Sequence, residues 1–119
     1  MQHYRDLKVW QLGVEISLAT YQLTNQFPAD ERFGLTSQMR RASISIPSNL
    51  AERHARSSTK DFLRFLAIAR GSLAELETQA TIAERLGYVD SNQLAPVVDM
   101  LDEEGRMLAG LRKSLEAKL

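Results

Sequence analysis

Cysteine is absent from the chain. That excludes disulfides, thiol nucleophiles and thiolate metal ligands, and it is compatible with a reducing compartment. Histidine occurs only as His3 and His54. No Ser-His-Asp order can be recognised around them. No His-His or Glu-x-x-His pattern of the di-iron bundle type is present either. Neither catalytic residues, a metal nor a cofactor is therefore expected, and the protein reads as non-enzymatic. No segment approaches the roughly 20 apolar residues of a membrane span, and the opening "MQHYRDLKVW" has no apolar run of signal-peptide type. A cytoplasmic location without a membrane partner is the expectation. Alternating β-branched runs are also missing, so no strands are predicted.

The 119 residues carry no net charge, 15 bases against 15 acids. The bulk charge thus gives no argument for a polyanion partner. The distribution does: residues 40–70 hold seven Lys/Arg against two acids, whereas residues 71–119 hold five against nine. The chain is dipolar by segment.

Apolar residues recur at helical spacing in four long segments, about 6–26, 35–56, 58–86 and 91–116. Short connections between helices of similar length favour antiparallel neighbours. The expected fold is all-α, one domain over 1–119, an antiparallel up-down-up-down four-helix bundle. Helix one has two stripes. Leu7, Trp10, Val14, Leu18 and Tyr21 form the first. Val9, Leu12, Ile16, Ala19 and Leu23 form the second. Leu35, Met39, Ala42, Ile46 and Leu50 are the core stripe of helix two. Pro47 lies inside that helix. It deletes a backbone hydrogen bond, so a kink is expected there, with nearby serines satisfying freed groups. Helix three carries Phe62, Phe65/Leu66, Ala69, Leu73, Leu76, Ala80 and Ala83. Ser58 with Asp61 caps its start, and Gly87 stops it. Helix four carries Leu94, Val97/Val98, Leu101, Leu108, Leu111 and Leu115, opened by Asp90 with Gln93 as its reciprocal partner. Its acids Asp99, Asp102, Glu103 and Glu104 precede its bases, an order that suits the helix dipole.

Three surfaces are candidates for function. Arg40, Arg53, Arg56, Lys60 and Arg64, with Arg70 beyond them, could form a patch of phosphate contacts and bind RNA or DNA without sequence preference. Arg41, Ser45, Asn49 and Glu52 share one face of helix two and read as a buried or half-buried network of hydrogen bonds and ion pairs, or else as a polar pocket or a subunit-contact patch. The second stripes, represented by Val9, Leu12, Ile16, Ile44, Leu63 and Ile68, exceed the need of one bundle and read as a self-association surface. A protein-interaction scaffold without nucleic-acid binding is the alternative reading.

The strings "LTSQMRRASISIPSNLAE", "STKDFLRFLAIARGSLAELETQ" and "AERLGY", with the opening "YRDLKVWQ", resemble the four-helix-bundle family of 23S ribosomal RNA intervening-sequence proteins, from Tyr4 to about Ser114. The resemblance implies a small cytosolic bacterial protein that forms an antiparallel bundle and a pentameric ring. It also implies kinship with accessory proteins of diversity-generating retroelements, which bind nucleic acid through a basic surface. It implies no catalytic residues. The family's glycine pattern after "SNxAE" is broken here by Arg53, His54, Ala55 and Arg56. Alanine and arginine favour helix over glycine by about 0.8–1 kcal/mol, so an extended second helix and a more basic corner are expected.

Overall fold

A computed structural model describes residues 3–52 and 58–119. It contains four α-helices: α1 Lys8–Thr24, α2 Leu35–Glu52, α3 Thr59–Arg85 and α4 Ser91–Glu116. Single 3-10 turns precede α1 at Tyr4–Asp6 and α2 at Ala29–Glu31. There is no strand among the described residues. The expected end of helix two at residue 56, and with it Arg53, His54 and Arg56, lies outside the described residues.

The helices begin and end where side chains satisfy the orphan backbone groups. Ser58 Oγ accepts from the Asp61 N–H at 3.0 Å and caps α3. Asp90 and Gln93 form a reciprocal capping box on α4, at 2.7 and 2.9 Å. α3 ends in a Schellman turn. Gly87 takes φ +80°, its N–H reaches the Glu84 carbonyl, and the Tyr88 N–H reaches the Ala83 carbonyl. Leu35 at the start of α2 donates its N–H to Glu31 Oε1 at 3.0 Å. The Tyr88 hydroxyl donates to Glu31 Oε2 at 2.7 Å, and the Tyr88 ring lies 5.4 Å from that of Phe27. One carboxylate thereby ties the α1–α2 connection to the α3–α4 connection. Both hydrogen bonds hold Glu31 below the usual carboxylate range, the Leu35 amide more strongly.

Each helix packs on the next, and α4 packs on α1. The core stripes of α2 and α3 are as the periodicity predicts: Met39, Ala42, Ile46 and Leu50, then the series from Phe62 to Ala83, are buried. In α1 the buried residues come from the second stripe, and Leu7 and Trp10 of the first pack half-buried against them. Val9, Ile16 and Leu23 are core, whereas Leu18 is 56% exposed and Tyr21 39%. The buried face of α1 also contains Gly13, Thr20 and Thr24. Their hydroxyls need no outside partner: Thr20 Oγ1 donates to the Ile16 carbonyl at 2.7 Å and Thr24 Oγ1 to that of Thr20 at 2.8 Å. A threonine satisfied in this way buries its methyl group like a valine. Glycine lets the helix approach its neighbours: a Cβ at residue 13 would lie 3.4 Å from Pro47 on α2. Burying an aliphatic side chain contributes roughly 1.5–3 kcal/mol, so burial of Val9, Ile16 and Leu23 on this face offsets the exposure of Leu18.

Pro47 does not end α2, which continues through it to Glu52. The proline leaves the Ser43 carbonyl without its intrahelical donor, and Ser43 is fully buried. The donor comes from another helix: Ser17 Oγ on α1 donates to the Ser43 carbonyl at 2.9 Å. Ser43 itself turns its hydroxyl to the Arg40 carbonyl. The nearby serines of α2 expected to fill this role do not. Ser17→Ala should destabilise the fold by about 1–3 kcal/mol, the cost of an unsatisfied buried carbonyl. Pro47→Ala restores a donor to that carbonyl, so in urea denaturation the Ser17→Ala loss should shrink in the Pro47→Ala background. Equal losses in both backgrounds would refute the pairing.

Candidate functional site

Where α2 and α3 pack, a groove of about 430 Å³ opens between them. On α2 it is lined by Gln38, Arg41 and Ser45, and on α3 by Ser72, Glu75 and Gln79. These spacings of three and four keep each set on one helix face. Ala42, buried and small, also lines it. Hydrogen bonds close one end. Ser72 Oγ donates to Ser45 Oγ at 2.8 Å, and Asn49 Nδ2 donates to Ser45 Oγ at 2.9 Å and to the Ser45 carbonyl at 2.8 Å. Of the four residues singled out on helix two, Ser45 and Asn49 share these bonds, which reach Ser72 across the interface. Arg41 and Glu52 are not in it. Both are exposed, and they lie about 16 Å apart along α2 at 1.5 Å per residue.

The basic candidates do not converge as one patch among the described residues. Arg40 sits near the start of α2 and is half-buried. Its guanidinium donates to Thr24 Oγ1 at 2.9 Å and Asn25 Oδ1 at 3.1 Å, and stacks 4.5 Å over the Tyr21 ring. It clamps the end of α1 to α2. Lys60 and Arg64 are exposed on the first turns of α3, next to the end of α2. The rise from Arg40 to Glu52 alone is about 18 Å. Arg70 is half-buried further along α3.

The 23S rRNA-intervening sequence protein family model matches residues 5–110. The chain belongs to this family. A solved structure, a protein with unknown function from the S23 ribosomal protein family of Bacteroides thetaiotaomicron, superposes with a TM-score of 0.79. The two are 22% identical, over 88% of this chain and 98% of the other. That likeness concerns the fold. No curated protein matches the sequence. The four helices and the absence of strands among the described residues agree with the family reading of the sequence.

Of the surface proposed for self-association, this family member buries two residues in its own core, Val9 at 6% and Ile16 at 0% exposure. They are withdrawn as interface residues, because the second stripe of α1 supplies its core. Leu12 and Leu63 are half-buried and pack against the core. Ile44 and Ile68 stay exposed, at 43% and 46%. Trp10 is half-buried, set edge-on to Tyr4 at 5.3 Å.

One titratable residue escaped the sequence reading. Glu104 is one of the acids whose order suits the helix dipole, yet it is fully buried. It fills the gap between Leu101 and Leu108 in the α4 stripe, which then runs 94, 97, 101, 104, 108 without a break. That gap was the available signal. Neither carboxyl oxygen has a hydrogen-bond partner. A Cβ on Gly13 would lie 3.1 Å from Glu104 Oε2. Burial, and secondarily the charge of Glu103, pushes the Glu104 carboxyl up to about 8. The groups that define the α2–α3 groove do not include it. Glu77, facing Asp102 on α4, is also raised, by desolvation first and by that charge second. Among the described residues no cluster of His, Asp or Glu is suited to a metal ion, and no helix is long and apolar enough to cross a membrane.

The folded chain keeps the Glu104 proton to about pH 8, whereas the unfolded chain releases it near the ordinary 4.5. Unfolding in that window therefore releases a proton, and stability should fall as pH rises, by up to about 1.4 kcal/mol per pH unit from this group. Urea midpoints measured across the window should flatten in Glu104→Gln. A slope unchanged by that substitution would assign the effect to other residues.

Proposed function

We propose that this protein is a non-enzymatic, self-associating helical bundle that acts as an accessory or binding module, with RNA or DNA as its ligand. The observation that carries the reading is the placement of Lys60 and Arg64. They are four residues apart on one face of α3, exposed, and without an ion pair among the described residues. They stand beside the segment that holds Arg53 and Arg56 in the sequence. In such a cluster lysine binds phosphate as a point charge and arginine through its planar fork, and both release counterions. The family's name links its members to intervening sequences of 23S rRNA, which suits a structured RNA. The non-enzymatic reading is supported by the seclusion of Glu104, the most strongly perturbed acid, within the core. Filter binding of structured RNA over a salt series should give an affinity that falls with salt. Lys60→Glu/Arg64→Glu should weaken it and lower the slope of log K against log salt by roughly 1.4–1.8 for the two lost contacts. Affinity indifferent to salt and to both this pair and Arg53→Glu/Arg56→Glu would leave the scaffold reading.

Self-association, as a pentamer in the family's manner, is supported by Leu18, Tyr21, Ile44 and Ile68, which a lone bundle leaves exposed. Light scattering at micromolar concentration should give a mass several times that of one 13.4 kDa chain, lowered in Ile44→Asp/Ile68→Asp. A monomeric wild type would overturn it.

A further inference from the structure

We propose that the α2–α3 groove binds a free α-amino acid, holding its carboxylate at Arg41 and Ser45 and its ammonium group at Glu75 and Gln79. This site is independent of the nucleic-acid reading and uses none of its residues. The groove's polar groups are those left with unused bonding capacity. Gln79 is 7% exposed, yet its Oε1 is buried with no hydrogen-bond partner. A buried acceptor of this kind demands a donor, and a ligand in the groove that Gln79 lines supplies one when the side-chain amide turns towards it. Ser45 Oγ accepts from both Ser72 and Asn49. Its two lone pairs are thereby used and its own proton remains available to an acceptor. Arg41 and Glu75 are exposed, line the same groove, and make no ion pair with each other or with another described residue.

The order of these groups sets the ligand's polarity. Ser45 and Ser72 meet at one end of the groove. Arg41 lies one turn from Ser45 on α2, and Glu75 nearly one turn from Ser72 on α3. Gln79 lies a further turn along α3. Donors are therefore concentrated at Arg41 and Ser45, and acceptors at Glu75 and Gln79. Arginine suits a carboxylate because its planar fork can donate two parallel hydrogen bonds. A carboxylate paired with an amide oxygen suits an ammonium group, which has three donors and no acceptor. A ligand with only one of the two charges would leave half of these groups unpaired. The volume of about 430 Å³ lies within the range of small-molecule sites. Its floor is polar except at Ala42, which suits a small zwitterion better than an apolar ligand.

The test is an amide-shift NMR titration of the full-length protein with each of the standard L-amino acids in turn. Propionate and ethylamine serve as probes carrying one charge each. Saturable shifts confined to residues 38–45 and 72–79 are expected with at least one amino acid, and affinity for either singly charged probe should be at least about tenfold weaker. Arg41→Gln and Glu75→Gln should each weaken binding by about tenfold, without changing the circular dichroism, since both residues are exposed. Gln79→Leu should do the same, and Lys60→Glu/Arg64→Glu should leave the titration unaltered. No saturable shift with any amino acid would overturn the proposal, as would binding that survives Arg41→Gln. Shifts of the same residues that depend on protein concentration alone would also overturn it, assigning the groove to a second copy of the chain.

Discussion

The bundle depends on how closely α1 approaches α2 and α4 around Gly13. At that level a glycine, a proline and a buried glutamic acid meet, and each is a residue that a helix core normally avoids. The glycine has no side chain to hold the helices apart. The proline presents a ring where an N–H would otherwise point into the helix. The carboxyl of Glu104 occupies the space beside them. Each oddity is tolerable because of the others, and the unpaid bond of Pro47 is met by Ser17 from across the contact. Interior proline costs roughly 3 kcal/mol. A cross-helix hydrogen bond recovers only part of that, so packing must supply the rest.

This contact also sets the phase of α1. Once Gly13 faces Pro47 and Glu104, the 3.6-residue period carries Ile16, Thr20 and Leu23 inward and turns Leu18 and Tyr21 outward. The outward aromatic then supports Arg40, whose guanidinium bridges to Thr24 and Asn25. An arginine that counts as a free cation in the sequence is thereby committed to structure. The choice made at one helix crossing redistributes both the apolar and the basic surface. The surface left for partners follows from the core.

At the groove the same logic operates on polar groups. Ser45 and Ser72 are brought together where α2 packs on α3, and Asn49 completes their network. Gln79 is buried there, and its Oε1 has no partner. A face read from α2 alone contains only half of this arrangement. Glu52 shares the helical phase of Arg41 yet lies about three turns away, so shared phase did not mean contact.

Much of the fold was legible in the residues themselves. Helix limits follow from Ser58 with Asp61, Asp90 with Gln93, and Gly87, because caps are local and act within four residues. The core faces of α2, α3 and α4 follow from single dominant apolar stripes. Where a helix carries two comparable stripes, as α1 does, periodicity names both, and assigning the second to self-association misplaced Val9 and Ile16. The tertiary structure decided between them, through close approach at Gly13 and through threonines that satisfy their own hydroxyls. It alone also placed Glu104 in the core, joined Ser17 to Ser43, and separated Arg40 from Lys60 and Arg64. Those outcomes depend on which surfaces meet, and a one-dimensional pattern holds the faces of a helix but not their partners.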